Sequence, residues 1–336
     1  MNKLVQAWYA DSPWLHILKP LSYFFRRQVE QRRAEYLNGS RPSWRAPVPV
    51  IVVGNISVGG VGKTPLVARL AQMLMEQGYH PGIVSRGYGS KAPHYPFAVN
   101  PNFSAKECGD EPLMLARRTG CPVVIDPDRV AAVKHLLAKY DCNLIISDDG
   151  LQHYALARDI EIAVVDGQRG LGNRLCLPAG PLREPPERLS EVDFIVMNGE
   201  GFIADQDSVP MKLVPSDLVN LGSREFIPVD GLVRQGPVHA VAGIGNPERF
   251  FMTLKSLGYQ IRPHAFADHY PYSAKDLQFN EELPVIMTEK DAVKCAAIAK
   301  QNYWYLKVDA RLPSSFDEEL LEKVASLRHL EPALAY

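Results

Sequence analysis

A glycine-rich segment that ends in a Lys-Thr pair carries the strongest chemical signal in the sequence. Residues 54–67 read GNISVGGVGKTPLV, between two apolar stretches. The usual phosphate-binding loop (P-loop) is G-x-x-x-x-G-K-[ST]; Gly62, Lys63 and Thr64 match it, whereas Ser57 replaces the first glycine. Glycines let backbone N–H groups turn towards phosphate oxygens. Lys63 would reach the β- and γ-phosphates of a nucleotide, and Thr64 would bind Mg²⁺.

The neighbouring elements favour this interpretation over a glycine turn with a surface lysine. An apolar, β-branched run at 47–54 precedes the loop, and a helix predicted at 65–77 follows it with its positive N-terminal end. Pro65 is tolerated there, because first-turn N–H groups lack helical partners. The predicted nucleotide-binding residues are Ser57, Val58, Gly59, Gly60, Val61, Gly62, Lys63 and Thr64.

Two pairs of acidic residues could serve the bound phosphate. The apolar strand NLIISDDG ends in Asp148 and Asp149, where a P-loop enzyme needs acids for its magnesium; the alternative is an Asp-Gly turn. In GDEP, Asp110 and Glu111 could bind a metal or accept a proton from a substrate hydroxyl. Asp110 could equally be the N-cap of the helix that follows.

A histidine beside an acid forms a further candidate. ADHYPY places Asp268 next to His269 in a predicted loop. Histidine is the commonest general acid or base, although a single loop histidine is more often structural. Spacing along the chain does not indicate whether His269 meets the P-loop.

The elements that must position these residues alternate between strand and helix. Strands are predicted at 82–84, 122–125, 143–147, 161–165 and 193–198, with helices between them at 111–118 and 128–139. This alternation predicts an α/β/α domain with a parallel sheet. The alternation stops at about 200, resumes at 237, and predicts a second, smaller α/β/α unit. The predicted regions are 1–46, an amphipathic helix; 47–200, a P-loop domain; 201–235, a linker; and 236–336, a domain that closes the cleft.

Composition and charge narrow the function class. Apolar residues make up 46% of the 336 residues and the net charge is −1, which argues against a general nucleic-acid-binding protein. The five cysteines are scattered without a CxxC pair, so neither a zinc site nor a disulfide framework is indicated. A reduced cytoplasmic setting fits this cysteine usage best.

The N-terminal region has a basic and aromatic character. Residues 1–46 hold eight Lys or Arg against three acidic residues. Apolar side chains recur at helical spacing over 14–25, Pro20 is expected to break or kink the helix, and arginines follow. This pattern is typical of a helix lying on an anionic membrane surface, and it fits an ordinary amphipathic helix packed on the domain equally well. The apolar run is too short and too polar to span a bilayer.

Seven motifs in order resemble those of one family, the tetraacyldisaccharide 4′-kinases of lipid A biosynthesis. They are GNISVGGVGKTP, SRGYG, GDEP, SDDGLQH, LPAGPLRE, DHYPY and TEKDAVK, between residues 54 and 294. The resemblance implies that the γ-phosphate of ATP is transferred to the 4′-hydroxyl of a membrane-embedded tetraacyldisaccharide 1-phosphate, giving the 1,4′-bisphosphate lipid (lipid IVA) at the cytoplasmic face of the inner membrane.

The resemblance also implies roles for particular residues. Asp148 and Asp149 match acids that support magnesium, with Glu111 nearby and Thr64 as a further ligand. Asp110 matches the base for the 4′-hydroxyl, and His269 its partner from the second domain. Together with Lys63 and Asp149 these two residues are the expected catalytic group. Contacts to the sugar or the 1-phosphate are expected from Arg86, Tyr88 and Arg183. For each of the two arginines the alternative is a surface ion pair.

Two other function classes remain open from the sequence. A P-loop regulatory NTPase at the membrane surface would hydrolyse nucleotide to switch conformation, and TEKD at 288–291 superficially resembles a guanine-reading segment. A membrane-surface binding protein with a degenerate nucleotide site would tolerate Lys63→Ala, whereas a kinase would not. If TEKD reads guanine in such a regulatory NTPase, GTP should outcompete ATP.

Overall fold

A computed structural model describes residues 3–10, 12–201, 207–229 and 236–327 of the chain. Parts of the predicted linker and the C-terminal end of the predicted second domain therefore lie outside the described residues. The helices are α1 Lys3–Tyr9, α2 Lys19–Leu37, α3 Lys63–Glu76, α4 Ala105–Cys108, α5 Asp110–Thr119, α6 Arg129–Lys139, α7 Pro247–Ser256, α8 Glu289–Cys295 and α9 Ser314–Leu327. Short 3₁₀ helices cover Pro13–Leu18, Pro186–Glu191, Ala274–Leu277 and Ala296–Ile298.

The described strands join into one continuous, mostly parallel sheet. They are β1 Val50–Gly54, β2 Pro81–Ser85, β3 Phe97–Ala98, β4 Val123–Ile125, β5 Leu144–Asp148, β6 Ile160–Asp166, β7 Phe194–Asn198, β8 Val209–Asn220, β9 Phe226–Pro228, β10 Val238–Ala242, β11 Ile261–Ala265, β12 Val285–Thr288 and β13 Tyr303–Arg311. The order across the sheet is β11-β10-β12-β13-β8-β7-β6-β1-β5-β2-β4-β3, with β9 beside β8. Strand β1 lies between β5 and β6, and pairs in parallel with both.

Side chains along a strand point alternately to the two faces of the sheet, and β1 is apolar at both sets of positions, so helices can cover both faces. Ile51 and Val53 of β1 face the core that contains α3, α5 and α9, whereas Val50 and Val52 face the core that contains α6. All five residues of β1 are buried, as expected for a strand with helices on both sides. The sequence therefore positions the loop after Gly54 at the carboxyl edge of a rigid, central strand.

The predicted elements of the P-loop domain are found in the structure within three residues of their expected ends, the largest difference being the start of β1, and the α/β fold class is confirmed. The region after residue 200 holds a longer strand than the short extended pieces expected there, because β8 runs for 12 residues and pairs with β7 and with β13. Helix α9 packs back on the core of α3 and α5. The division into domains at 200 and 236 remains a prediction.

The N-terminal region begins its main helix at Lys19, so Pro20 lies in the first turn of α2 instead of kinking a longer helix. A proline costs little there because the first N–H groups have no helical partner. Ser22 of α2 is buried, and its hydroxyl donates to the Cys176 carbonyl at 2.7 Å and accepts from the Ala179 N–H at 2.8 Å. Helix α2 is thus packed on the domain along one side.

The other side of this region leaves large apolar side chains in solvent. The exposed ones are Trp14, Ile17, Leu21, Tyr23 and Phe24, with Ile17 at 80% exposure. Leu18 and Phe25, by contrast, are partly buried against protein cores. Among the helices that the structure describes, none has the length and apolar character needed to cross a membrane. Both alternatives drawn from the sequence are therefore compatible with this region, in which the 3₁₀ helix Pro13–Leu18 and α2 have a packed side and an exposed apolar side.

Candidate active site

The P-loop connects β1 to α3 at the centre of the sheet edge. Gly59 and Gly62 have φ values of 105° and 94°, a left-handed backbone that a residue with Cβ adopts only with strain. Gly62 is the N-cap of α3, and Lys63 is its first residue. Within the described residues, the N–H groups of 59–62 form no backbone hydrogen bond. The loop therefore presents free donors and a helix N-terminus, which suit an anion.

The first two residues of the predicted nucleotide-binding set are held by the protein itself. The Val58 N–H donates to the Pro181 carbonyl at 2.8 Å. Buried Ser57 forms an isolated bridge with Leu182, and its carbonyl accepts from the Asn55 side chain at 2.6 Å. These contacts anchor the start of the loop, so the donors available to phosphate come from the residues after Val58.

Lys63 connects the P-loop to the acid that follows β5. Its Nζ lies 3.0 Å from Asn55 Oδ1 and 3.3 Å from Asp149 Oδ1. Arg183 Nη1 lies 3.1 Å from the same carboxylate. Burial raises the pKa of Asp149, but the charges of Lys63 and Arg183 outweigh this and leave its pKa below the ordinary value. The structure thus brings Lys63, Asp149 and Arg183 together, with Arg183 at the P-loop side of the site.

Asp148 occupies the end of β5 and is almost completely buried. Burial, followed by the charges of Glu111 and Asp149, raises its pKa to about 7. Ser85 donates to Oδ2 at 3.2 Å, whereas Oδ1 is buried without a hydrogen-bond partner among the described residues. A carboxylate oxygen left in this way beside a P-loop fits a cation, which would supply the missing partner.

A preassembled cluster of acidic, histidine or cysteine ligands is absent from the described part of the chain. Mg²⁺ does not require one, because it usually keeps several waters and binds one or two carboxylates together with substrate phosphates. The Asp148 carboxylate and Thr64 in the first turn of α3 fit that donor set. The residues present therefore fit a magnesium ion that arrives with the nucleotide.

The second pair of acids begins helix α5. The N-cap position is Gly109, with φ of 84°, so Asp110 is the first helical residue and does not cap the helix. Asp110 is buried, and its Oδ2 lies 2.9 Å from His269 Nδ1. His269 itself has φ of 59° in a loop after β11. The structure thus joins two residues that are 159 positions apart in the chain.

Lys290, at the start of α8, completes this group, although the sequence did not indicate a role for it. Its Nζ lies 3.2 Å from Glu111 Oε1, 3.2 Å from Asp268 Oδ1 and 3.3 Å from His269 Nε2. Burial lowers the pKa of Lys290, but the charges of Glu111 and Asp268 raise it above the ordinary value overall. A charged lysine only donates, so His269 Nε2 must accept and Nδ1–H must donate to Asp110.

Comparison with known proteins decides the family. A family model described as Tetraacyldisaccharide-1-P 4′-kinase matches residues 14–325. The chain belongs to this family. A tetraacyldisaccharide 4′-kinase from Pseudomonas syringae pv. syringae is 54% identical over 326 residues, covering 95% of this chain and 98% of the relative. One from Pseudomonas fluorescens is 52% identical over 325 residues, with coverages of 95% and 96%.

A solved structure agrees with the sequence relatives. The crystal structure described as the "apo" form of LpxK from Aquifex aeolicus in complex with ATP superposes with a TM-score of 0.78 at 30% identity, covering 93% of this chain and 99% of that one. The family, the activity and the use of ATP expected from the motifs are therefore confirmed. As a member of the 4′-kinase family, the chain is a phosphotransferase that acts on the tetraacyldisaccharide precursor of lipid A.

The remaining residues expected to contact substrate lie in two places. Tyr88 is exposed, and its ring centroid is 5.3 Å from that of His269, so it borders the Asp110 group. Arg86 is also exposed; burial lowers the pKa of Arg129, and the charge of Arg86 lowers it further. Arg183 does not join these two residues; it donates a hydrogen bond to the Asp149 carboxylate.

Two further supporting residues were missed. Arg129 donates to the Asp149 carbonyl at 3.4 Å, and Glu184, beside Arg183 in the LPAGPLRE motif, accepts from Gln152 at 2.7 Å and from the Tyr154 hydroxyl. The motif that contains Glu184 was noted in the sequence, whereas Arg129 belongs to no noted motif, and support of a neighbouring loop leaves no spacing pattern of its own.

The TEKD segment does not have the geometry of a guanine-reading segment. Fully buried Asp291 accepts from the Gly243 N–H at 2.8 Å and from Thr288, and pairs with Lys294 at 2.8 Å. Lys290 of the same segment faces Asp110 and His269. A carboxylate engaged in this way between α8 and the end of β10 cannot reach a base, so the feature that favoured a GTPase has a structural explanation.

Proposed function

We propose that the P-loop and the Asp110–His269 pair are the two ends of one kinase site, which transfers the γ-phosphate of ATP to the 4′-hydroxyl of tetraacyldisaccharide 1-phosphate. The observation that carries the proposal is the 2.9 Å contact between His269 Nδ1 and Asp110 Oδ2. It joins a loop of the second α/β unit to the helix whose next residue, Glu111, acts electrostatically on Asp148. The proposed proton acceptor, Asp110, is thus linked through Glu111 and Asp148 to the P-loop that would bind phosphate.

At the nucleotide end, the free N–H groups of 59–62 and the N-terminus of α3 would hold the β- and γ-phosphates. Lys63 would contact the negative charge that is redistributed during transfer. Asp149 would keep Lys63 and Arg183 at the phosphates through its two ion pairs. In this proposal Asp149 acts mainly by positioning these two cations.

Magnesium would be held by Asp148 and Thr64, with Glu111 and Asp149 close enough to support its water shell. The ion neutralises negative charge on the β- and γ-phosphates when it is bound. Asp148 is suited to this role because its Oδ1 lacks a partner among the described residues.

At the acceptor end, Asp110 would accept the proton of the 4′-hydroxyl as the new oxygen–phosphorus bond forms and the bond to the β-phosphate oxygen breaks. A loose phosphoryl-transfer transition state needs orientation more than a strong base, so a carboxylate is adequate. His269 would orient Asp110 by donating from Nδ1, and Lys290 would hold His269 in that tautomer. Tyr88 would border the sugar or its 1-phosphate, and so would Arg86, two residues earlier in the chain.

The exposed apolar side of the N-terminal region would bring the enzyme to its acceptor. Four acyl chains keep the substrate in a bilayer, and apolar residues followed by arginines would give reversible binding to an anionic surface. The exposure of Trp14, Ile17, Leu21 and Phe24 supports this proposal. In this proposal the enzyme works at the cytoplasmic face of the inner membrane, because ATP is available there.

A direct transfer assay tests the proposal. Purified protein would be mixed with Mg²⁺, γ-labelled ATP and tetraacyldisaccharide 1-phosphate in detergent micelles, with Asp110→Ala in parallel. Label in the lipid that is lost in the variant would support the assigned site. Label released only as free phosphate by the wild-type protein would contradict it and favour a regulatory NTPase.

A further inference from the structure

Asn198, the last residue of β7, joins the P-loop to a helix of the second α/β unit. It is buried, its Nδ2 donates to the Val61 carbonyl at 2.9 Å, and its Oδ1 accepts from Arg249 Nη2 at 3.2 Å. A Cβ atom at Gly62 would come within 2.6 Å of Asn198 Nδ2, so the amide packs directly on the loop. Neither residue belongs to a motif that the sequence indicated as functional.

The direction of the nucleotide follows from the order of the strands. The acids of the site follow β5, on one side of β1, and the proton acceptor Asp110 contributes to the same side. Strands β6 and β7 lie on the opposite side of β1. Because the γ-phosphate must face Asp110 and the acids, the α-phosphate and the adenosine must leave the loop towards β6 and β7. Asn198 and Arg249 stand at that end.

Arg249 is available for a ligand at this position. It belongs to the first turn of α7, whose N-cap Asn246 accepts from the Arg249 N–H at 3.4 Å. Its side chain is partly buried, and within the part of the chain that the structure describes no carboxylate lies within ion-pair distance of it. By contrast, Arg169, which follows β6, is paired with Asp166 and donates to the Gly60 carbonyl. Arg249 alone of these two keeps its charge and its flat face without a carboxylate partner.

We infer that Asn198 and Arg249 form the adenosine end of the nucleotide site, in which Asn198 fixes the guanidinium beside the P-loop and the plane of Arg249 lies against the purine ring. Arginine is suited to this because its delocalised, weakly hydrated cation stacks on aromatic faces. The inference rests on the proposed function of the P-loop and extends it to the part of ATP that does not react. It also makes α7, in the second unit, a direct participant in nucleotide binding.

The test separates the adenosine from the phosphates of the ligand. Equilibrium binding of MgATP and of magnesium tripolyphosphate would be measured by calorimetry with the wild-type protein, Arg249→Ala, Arg249→Lys and the exposed-surface control Arg262→Ala. We expect Arg249→Ala to weaken MgATP by about tenfold, within the range of cation–aromatic contacts. Tripolyphosphate binding should be unchanged, the control should match the wild type, and Arg249→Lys should remain weakened because lysine lacks the flat face.

Three results would overturn the inference. Equal weakening of both ligands by Arg249→Ala would make Arg249 a phosphate contact, full recovery by Arg249→Lys would reduce its role to charge, and unchanged MgATP binding would remove it from the site. Failure of the underlying function is distinguishable with Lys63→Ala. If that variant binds tripolyphosphate like the wild type, the P-loop is not the phosphate site, whatever Arg249 does.

Discussion

The nucleotide end and the acceptor end of the site are built in different ways. The proposed nucleotide end is one short segment, residues 54–64, whose backbone and single lysine would supply the binding groups. The acceptor end is assembled from α5, the loop that holds Asp268 and His269, and the first turn of α8. The loop therefore depends on residues that are neighbours in the chain, whereas the proposed acceptor end exists only when α5, the loop after β11 and α8 meet.

The largest effect is expected at the nucleotide end. Lys63→Ala removes the only side-chain cation of the loop itself, and we expect lipid phosphorylation to fall by about 10³-fold or more, because charge stabilisation at the transferring phosphate is lost. The initial rate of label transfer in micelles measures this, with the exposed Lys300→Ala as control. Activity within a few fold of the wild type would remove Lys63 from the chemistry.

The acceptor end should respond as a unit. Asp110→Asn is expected to lower kcat on the order of 10²- to 10³-fold, since the proton acceptor is lost, while ATP binding is kept. His269→Gln acts through Asp110, so the double variant should be scarcely slower than Asp110→Asn. Single-turnover rates with saturating ATP check this. Multiplicative losses would mean that the two residues act independently.

Delivery of the acceptor can be separated from nucleotide binding. The combined variant Trp14→Ser, Ile17→Ser, Leu21→Ser and Phe24→Ser loses the exposed apolar side, and we expect at least about tenfold weaker partitioning to anionic vesicles. The Kd of MgATP should not change. The matched control is Phe226→Ser with Met252→Ser, two other exposed apolar residues. Vesicle binding equal to that of the control would show that this side serves another purpose.

Lys290 should give the smallest effect and the sharpest test of the acceptor end. Lys290→Met removes the donor that fixes the tautomer of His269, and we expect about a tenfold lower kcat with the KM for ATP unchanged. Lys290→Arg, which keeps a donor, should recover part of the rate. A variant that raises the KM for ATP instead would place Lys290 with the nucleotide and would weaken the contrast between the two ends.

The sequence was sufficient for features that depend on neighbours in the chain. The P-loop, the strand that ends in Asp148 and the alternation of strands and helices are encoded by short-range patterns, because glycine conformation and side-chain period act over a few residues. The motifs also identified the family. The length of strand β8 was not expected, because its pairing with β7 and β13 overrides a segment that contains Pro210 and Pro215.

Only the tertiary structure decided which of these residues meet. The spacing of 159 residues between Asp110 and His269 carries no information about distance, and Lys290, Arg183 and Arg249 obtain their partners from segments remote in the chain. Packing also decided which apolar residues of the N-terminal region face the protein and which remain exposed. The physical reason is that local conformational preferences fix the elements, whereas burial and charge pairing between elements fix the site.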